Sequence, residues 1–281
     1  MSLRLASVLL LFICLPNLLS SQMTLIGTTM DAQTKEPIPY VNIGIKNSAM
    51  GTVSDDLGNY NLQVGSSGDS IFFSAIGYEV NVLSSSEVLR QGQVYLQPKS
   101  YEIPEVQIVA QKLDGKEKIL GVRNKKRGLS IGFGSRNLGT EIGAAIAIRE
   151  ATYIKNANFV LNHADGDSLL FRVNIYDYRN KIVGDNLLKD NVLISTKQRR
   201  GKVSVDLSSL HIILDHDVLL TLEWIKDDNS AGNANITFDT KKSKKLPGVF
   251  VKNTSIGSFE FMGYVNTKLK PCFYLTGSEM E

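Results

Sequence analysis

Cysteine is all but missing from this chain: Cys14 and Cys272 are the two thiols among 281 residues. Cys14 lies in an N-terminal apolar run that reads as a removable leader, so no disulfide can close within the mature chain. Cys272, between Pro271 and Phe273, reads as a small buried apolar residue, with a bridge between chains as the alternative. Histidine is as scarce. His163, His211 and His216 have no glutamate three residues downstream, which removes the His and Glu pair that a catalytic zinc site uses. Gly132, Gly134, Gly139 and Gly143 have no Gly-Lys-Ser or Gly-Lys-Thr element beside them, so no phosphate loop is read there. An excess of one charge is also lacking: 31 Lys and Arg stand against 28 Asp and Glu, a net charge of +3. The one basic concentration, Arg123, Lys125, Lys126 and Arg127 after Lys112, Lys116 and Lys118, lacks the aromatics that stack on single strands. No nucleic-acid partner is expected, and the stretch reads as a solvated linker.

Long hydrophobic runs are confined to the N-terminus. Arg4 is followed by an apolar stretch over 5–15, then Leu18, Leu19 and the small polar pair Ser20 and Ser21. That is the layout of a secretory signal peptide over 1–21, and its core is shorter than the roughly 20 residues that span a bilayer. The apolar segments 71–76 and 142–148 are shorter still, so no transmembrane segment is expected after cleavage. Export to the periplasm, the outer-membrane surface or the exterior follows from that reading. The mature chain exceeds one domain of about 100–150 residues, which favours two.

What is present is β-patterning with no sustained helical stripe. Val41, Ile43 and Ile45 alternate with Tyr40, Asn42 and Gly44, and Tyr60, Leu62 and Val64 alternate after a breaker-rich turn at 55–59. Further strand signals cover 70–74, 79–83, 93–96 and 105–109. The order Gly27 to Asp31, Glu36 to Pro39, Gly51-Thr52-Val53-Ser54-Asp55, Gly58, Tyr60, 71–78 and Glu105-Val106-Gln107-Ile108-Val109 resembles the carboxypeptidase-regulatory-like domain. The resemblance implies a transthyretin-like β-sandwich over 22–110, of a kind common in exported proteins of Bacteroidetes. It implies an architectural role for Asp55 or Asp56 and for Gly58, which suits a tight turn. Zinc carboxypeptidase activity is not supported, because the His and Glu pair is absent. The same module stands at the N-terminus of many outer-membrane receptors that depend on TonB, and these 281 residues are too few to supply the large barrel expected after it.

Residues 111–127 read as the linker, with a short element near Ile119. From 128 to 281 strand signals resume, the clearest over 169–178, where Leu169, Phe171, Val173 and Ile175 share one face. Leu170, Arg172, Asn174 and Tyr176 lie opposite, on a more polar face suited to solvent or ligand. The count of strands implies a larger, jelly-roll-like antiparallel β-sandwich, making the whole chain all-β. Phe171-Arg172-Val173-Asn174-Ile175-Tyr176-Asp177, Asp185-Asn186-Leu187-Leu188 and Val205-Asp206-Leu207 are loosely similar to sandwich regions that follow the same module in other Bacteroidetes proteins.

Candidate sites are thin. Asp177, Asp185, Asp206, Asp215, Asp217, Glu223, Asp227 and Asp228 offer many carboxylate pairs for a glycosidase and no means of choosing one; most sit beside turns, where Asp bonds locally. The oxygen-rich Asp165-Gly166-Asp167 and Asp227-Asp228-Asn229 are the places a calcium ion would sit, without full EF-hand spacing; no cofactor is otherwise expected. Trp224 reads as core if it shares a face with Leu220 and Leu222, and as a sugar platform only if that face is open. Tyr176 and Tyr178 are the other ligand-contact candidates. The resulting expectation is a non-enzymatic exported protein of structural or binding type, with a glycan or an envelope protein as ligand. The alternatives are a hydrolase of carbohydrate or peptide, and an accessory partner of an outer-membrane uptake or secretion system acting through exposed strand edges.

Overall fold

The computed structural model describes residues 23–46, 48, 50–65, 68–99, 115–123, 130–133, 138–165, 168–227, 235–242, 248–254, 256–262 and 269–280. The expected leader and the strand signal at 105–109 lie outside them. Seven strands make an N-terminal sandwich: β1 (Met23–Asp31), β2 (Asn42–Ile45), β3 (Gly51–Val53), β4 (Asn59–Val64), β5 (Ser70–Ser74), β6 (Asn81–Ser84) and β7 (Gln93–Leu96). One sheet runs β4-β1-β7, with β4 antiparallel and β7 parallel to β1. The other runs β3-β2-β5-β6 and is antiparallel throughout.

The period of two decides the inside. In β4, Tyr60, Leu62 and Val64 are buried while Asn59, Asn61 and Gln63 are exposed. These join Leu25, Val41, Ile43, Ile71 and Phe73 in one core, each large side chain contributing about 1.5–3 kcal/mol by leaving water. The turn before β4 is held as its residues suggest: Asp55 Oδ1 accepts from the backbone of Leu57 at 2.9 Å and of Asn59 at 2.7 Å, and Gly58 takes a φ of +75°.

A helix, α1 (Ser85–Gln91), stands where only strands were expected. It is stabilised locally by a capping box: the Ser84 hydroxyl accepts from Glu87 N, and the Glu87 carboxylate accepts from Ser84 N. Gly92 closes it in the left-handed region.

The C-terminal sandwich is built from β8 (Glu117–Gly121), β9 (Ser130–Phe133), β10 (Glu141–Ile146), β11 (Thr152–Ala164), β12 (Leu169–Arg179), β13 (Ile182–Asn186), β14 (Val192–Thr196) and β15 (Gly201–Asp206). It continues through β16 (Ile213–Leu214), β17 (Val218–Asp227), β18 (Ile236–Lys242), β19 (Val249–Lys252), β20 (Glu260–Met262), β21 (Leu269–Pro271) and β22 (Phe273–Glu279). A seven-stranded sheet runs β13-β12-β17-β10-β19-β20 with β14 on β12, and an eight-stranded one runs β21-β18-β11-β22-β8 with β15 and β16 on β11 and β9 on β18. The short element foreseen near Ile119 is β8, which pairs antiparallel with β22. Leu169, Phe171, Val173, Ile175, Leu220, Leu222 and Trp224 from one sheet meet Phe159, Phe238 and Phe273 from the other in a second core. Phe159 and Phe238 both meet Phe273 edge to face, with centroids 4.8 and 5.0 Å away. Cys272 is fully buried.

Candidate functional site

The inner side of the seven-stranded sheet is apolar, so alternation sends every second side chain of β10, β12, β17 and β19 to its outer side. Sheet register places Arg172 of β12 opposite Glu223 of β17, Glu223 opposite Glu141 of β10, and Glu141 opposite Lys252 of β19. The row therefore reads cation, anion, anion, cation across four strands. Two carboxylates directly opposite each other repel, and this order gives each a cation on its far side.

That outer side was expected to be suited to solvent or ligand; along the charged row its side chains are screened from solvent. Arg172 is 2% exposed, Glu223 1% and Glu141 0%. Arg172 Nη1 donates to Glu223 Oε2 at 3.2 Å, and its Nη2 donates to the backbone carbonyl of Tyr40 in the N-terminal sandwich. Lys252 pairs with Glu141 Oε1, and its ammonium stands 5.4 Å from the Phe259 ring centroid. Amide and hydroxyl donors fill in around the charges. Asn174 Nδ2 donates to Glu223 at 3.1 Å and to Glu141 at 3.3 Å, and the Thr221 hydroxyl donates to Glu141 at 2.8 Å. Tyr176 reaches Glu141 with its hydroxyl at 3.1 Å. The screening has a physical cause: charges in register neutralise one another, and the N-terminal sandwich covers part of the row.

Burial pushes the Glu223 carboxyl up from its ordinary value, with Arg172 opposing and Glu141 adding to the rise. Burial likewise holds the Tyr176 phenol well above 10, reinforced by the negative charge of Glu141.

Above the row lies a cavity of about 730 Å³ between the two sandwiches, with Asn42, Phe72 and Ser74 on the N-terminal wall and Arg172, Asn174 and Glu223 on the other. Its size falls in the range of small-molecule sites. Three lining residues carry a buried polar atom without a hydrogen-bond partner among the described residues: Asn42 Oδ1, Arg172 Nε and Glu223 Oε1. Arg172 and Glu223 touch through one contact each way rather than two, so each keeps an atom in reserve. Leaving such a group unmatched costs about 1–3 kcal/mol. Glu141 is different, since both of its oxygens are engaged.

Of the sequence candidates, Tyr176 joins this site and Asn186, beside it, donates to Asn174 Oδ1 at 2.9 Å. Tyr178 is 5% exposed and packs with Phe250, Ala145 and Leu219 in a small outer cluster. Trp224, 1% exposed, lies on the core side with its ring centroid 5.7 Å from that of Phe133; the open face that a sugar platform needs does not exist. Asp177, Asp206 and Asp215 bond locally, to Arg179, Ser208 and His216, whereas Asp217 accepts from the distant Ile148 N at 3.1 Å. Glu223 alone among the named acids joins the row, while Asp185 lines the cavity. Glu141 escaped notice; its signal was a lone acid at an outward position in an otherwise apolar strand, Glu141-Ile142-Gly143-Ala144-Ala145-Ile146. No Gly-x-Ser-x-Gly elbow was expected, yet Gly128-Leu129-Ser130-Ile131-Gly132 has that spacing. Ser130 opens β9, exposed and paired with Asp239 in a ladder, rather than a strand-to-helix turn that presents a nucleophile. Of the calcium candidates, Asp165 holds His163 Nε2 at 2.7 Å; Gly166, Asp167, Asp228, Asn229 and the side chain of Asp227 lie outside the described residues.

Residues 25–108 match the family model of the CarboxypepD_reg-like domain. No curated protein matches the chain. Among solved structures, the cysteine protease and lectin-like domains of Cwp84, a surface layer associated protein of Clostridium difficile, are similar at 8% identity with a TM-score of 0.39, over 82% of this chain and 45% of that one. A second structure of clostridial Cwp84, after propeptide cleavage, gives 8% identity and 0.41, over 82% and 51%. The chain thus spans about half the length of these proteins. The structure of the infectious bursal disease virus Gx strain gives 11% and 0.28, over 92% and 60%.

Proposed function

We propose that this chain is an exported, non-enzymatic binding module of the cell envelope or exterior, whose ligand, a glycan or a segment of another envelope protein, seats in the cavity between the two sandwiches. The supporting observation is the cavity itself, lined by Asn42 from one sandwich and by Arg172, Asn174 and Glu223 from the other, three of which carry a buried polar atom without a partner among the described residues. Polar groups of this kind are satisfied in nearly all folded proteins, by protein, water or ligand. The N-terminal sandwich supplies one wall and, through the Tyr40 carbonyl, grips Arg172, which gives the family-matched module a structural part in the site.

A hydrolytic reading has one observation in its favour, the carboxylate pair Glu141 and Glu223 bridged by Asn174. Against it, a glycosidase needs both acids free to meet substrate, and Glu141 is held by Lys252, Thr221 and Tyr176. The test is a thermal-shift screen of the mature chain against glycans and envelope-protein peptides, alongside Ser74→Trp, which fills the cavity from its N-terminal wall. A shift present in the parent and lost in Ser74→Trp is expected. A shift that survives the block removes the cavity from the reading, and release of reducing ends or new amino termini replaces binding with hydrolysis.

A further inference from the structure

We infer that Lys252 and Glu141 condense into an amide, a covalent bridge between β10 and β19 that forms within the folded chain. Sheet register seats the two residues directly opposite each other in an antiparallel pair, the position at which side chains of neighbouring strands meet. Lys252 Nζ pairs with Glu141 Oε1, and the two side chains are 10% and 0% exposed. Among the described ion pairs no other brings a primary amine to a carboxylate away from water. Lys118 meets Glu150 and Glu279 where all three are partly exposed, and the buried pair of Arg172 and Glu223 offers a guanidinium, which stays protonated and is no nucleophile.

Burial supplies the driving force. Two charges held out of water carry a desolvation cost that their attraction need not repay, and the neutral acid and neutral amine are the forms that react. A proton is at hand in this row: burial pushes the carboxyl of Glu223, directly opposite Glu141 in β17, up towards its protonated form, and Asn174 Nδ2 donates to both carboxyls. In the condensation Lys252 Nζ forms its bond to Glu141 Cδ. The bond from Cδ to Oε1 breaks, and two of the three ammonium protons leave with Oε1 as water. Donors stand where the tetrahedral stage needs them. The Thr221 hydroxyl donates to Oε2 at 2.8 Å and the Tyr176 hydroxyl at 3.1 Å, so the negative charge that gathers on the remaining oxygen is already met. Fixing the reactants in register replaces the collision that a condensation in solution requires, and no oxidant or metal is consumed.

The bridge serves a sheet that no disulfide braces: Cys272 is free and lies buried between β21 and β22 of the other sheet. Glu141 and Lys252 stand more than a hundred residues apart in sequence, and a link that closes so long a loop restricts the unfolded chain as a disulfide does.

The experiment is mass spectrometry of the mature chain, purified folded, then denatured, with its amino terminus sequenced, and followed by a tryptic map. A mass short of the sequence by one water is expected, together with no cleavage after Lys252 and a branched peptide that joins it to the segment holding Glu141. Lys252→Arg keeps the ion pair and has no amine to give, so it should carry its full sequence mass. A parent at full sequence mass, with Lys252 and Glu141 recovered on separate peptides, overturns the bridge. So does a loss of water that persists in Lys252→Arg, which places the dehydration elsewhere. The branched peptide of the parent decides the matter even where the variant fails to fold, and the covalent readout is independent of any ligand in the cavity.

Discussion

Arg172 shows how one side chain can serve two structures. Its guanidinium compensates Glu223 within the sheet and donates to Tyr40 of the other sandwich. Arg172→Met should therefore cost about 3–5 kcal/mol in urea unfolding, since it strands a buried carboxylate. Adding Glu223→Leu should restore most of that loss by removing the second charge as well. Asp31 is the acid-side counterpart in the smaller sandwich. Backbone N–H groups of Thr34 and Gln33 and the Tyr78 hydroxyl, at 2.8 Å, hold its carboxyl below the ordinary 3.8, with burial opposing. A carboxyl lowered in the folded state binds fewer protons than when unfolded, so its contribution is full above pH 3.8 and is lost as the pH falls through the folded value. Tyr78→Phe should accordingly destabilise most at neutral pH, with the difference from the parent shrinking below that point; a gap constant down to pH 2 would refute the linkage. At this scale the sequence was hard to read. Glu223 stood among eight equivalent acids, and Glu141 drew no notice, because a buried row of charges is defined by which strands lie side by side.

Strands were the legible elements. The alternation over 60–64 and 169–175 names the buried side chains directly, since a pleated strand can turn only every second residue inward. The helix Ser85–Gln91 was missed because seven residues cannot display an amphipathic stripe, although Ser84, Glu87 and Gly92 marked both of its ends. Its cap is local, so Ser84→Ala should lower stability by about 1 kcal/mol, read as a lower urea midpoint with unchanged slope. The outer side of β12 was legible only in part, for a different reason. Alternation establishes that Arg172, Asn174 and Tyr176 point away from the core; it is silent on what lies beyond them.

Among the described residues the two larger apolar cores share no residue, one around Phe73 and one around Trp224. Calorimetry should then resolve two transitions, with Phe73→Ala lowering one and Trp224→Ala the other, each by about 3–5 kcal/mol; a single transition moved equally by both would show the sandwiches melt as one. Composition and the period of two were enough to determine an all-β chain with these core residues, because burial of alternate side chains is a property of each strand on its own. The tertiary structure alone decided the rest. Glu141, Glu223, Arg172 and Lys252 come from four strands spread over more than a hundred residues of sequence, and Asn42 comes from the other sandwich. Their juxtaposition depends on strand order and on how one sandwich rests against the other, and no local pattern encodes either.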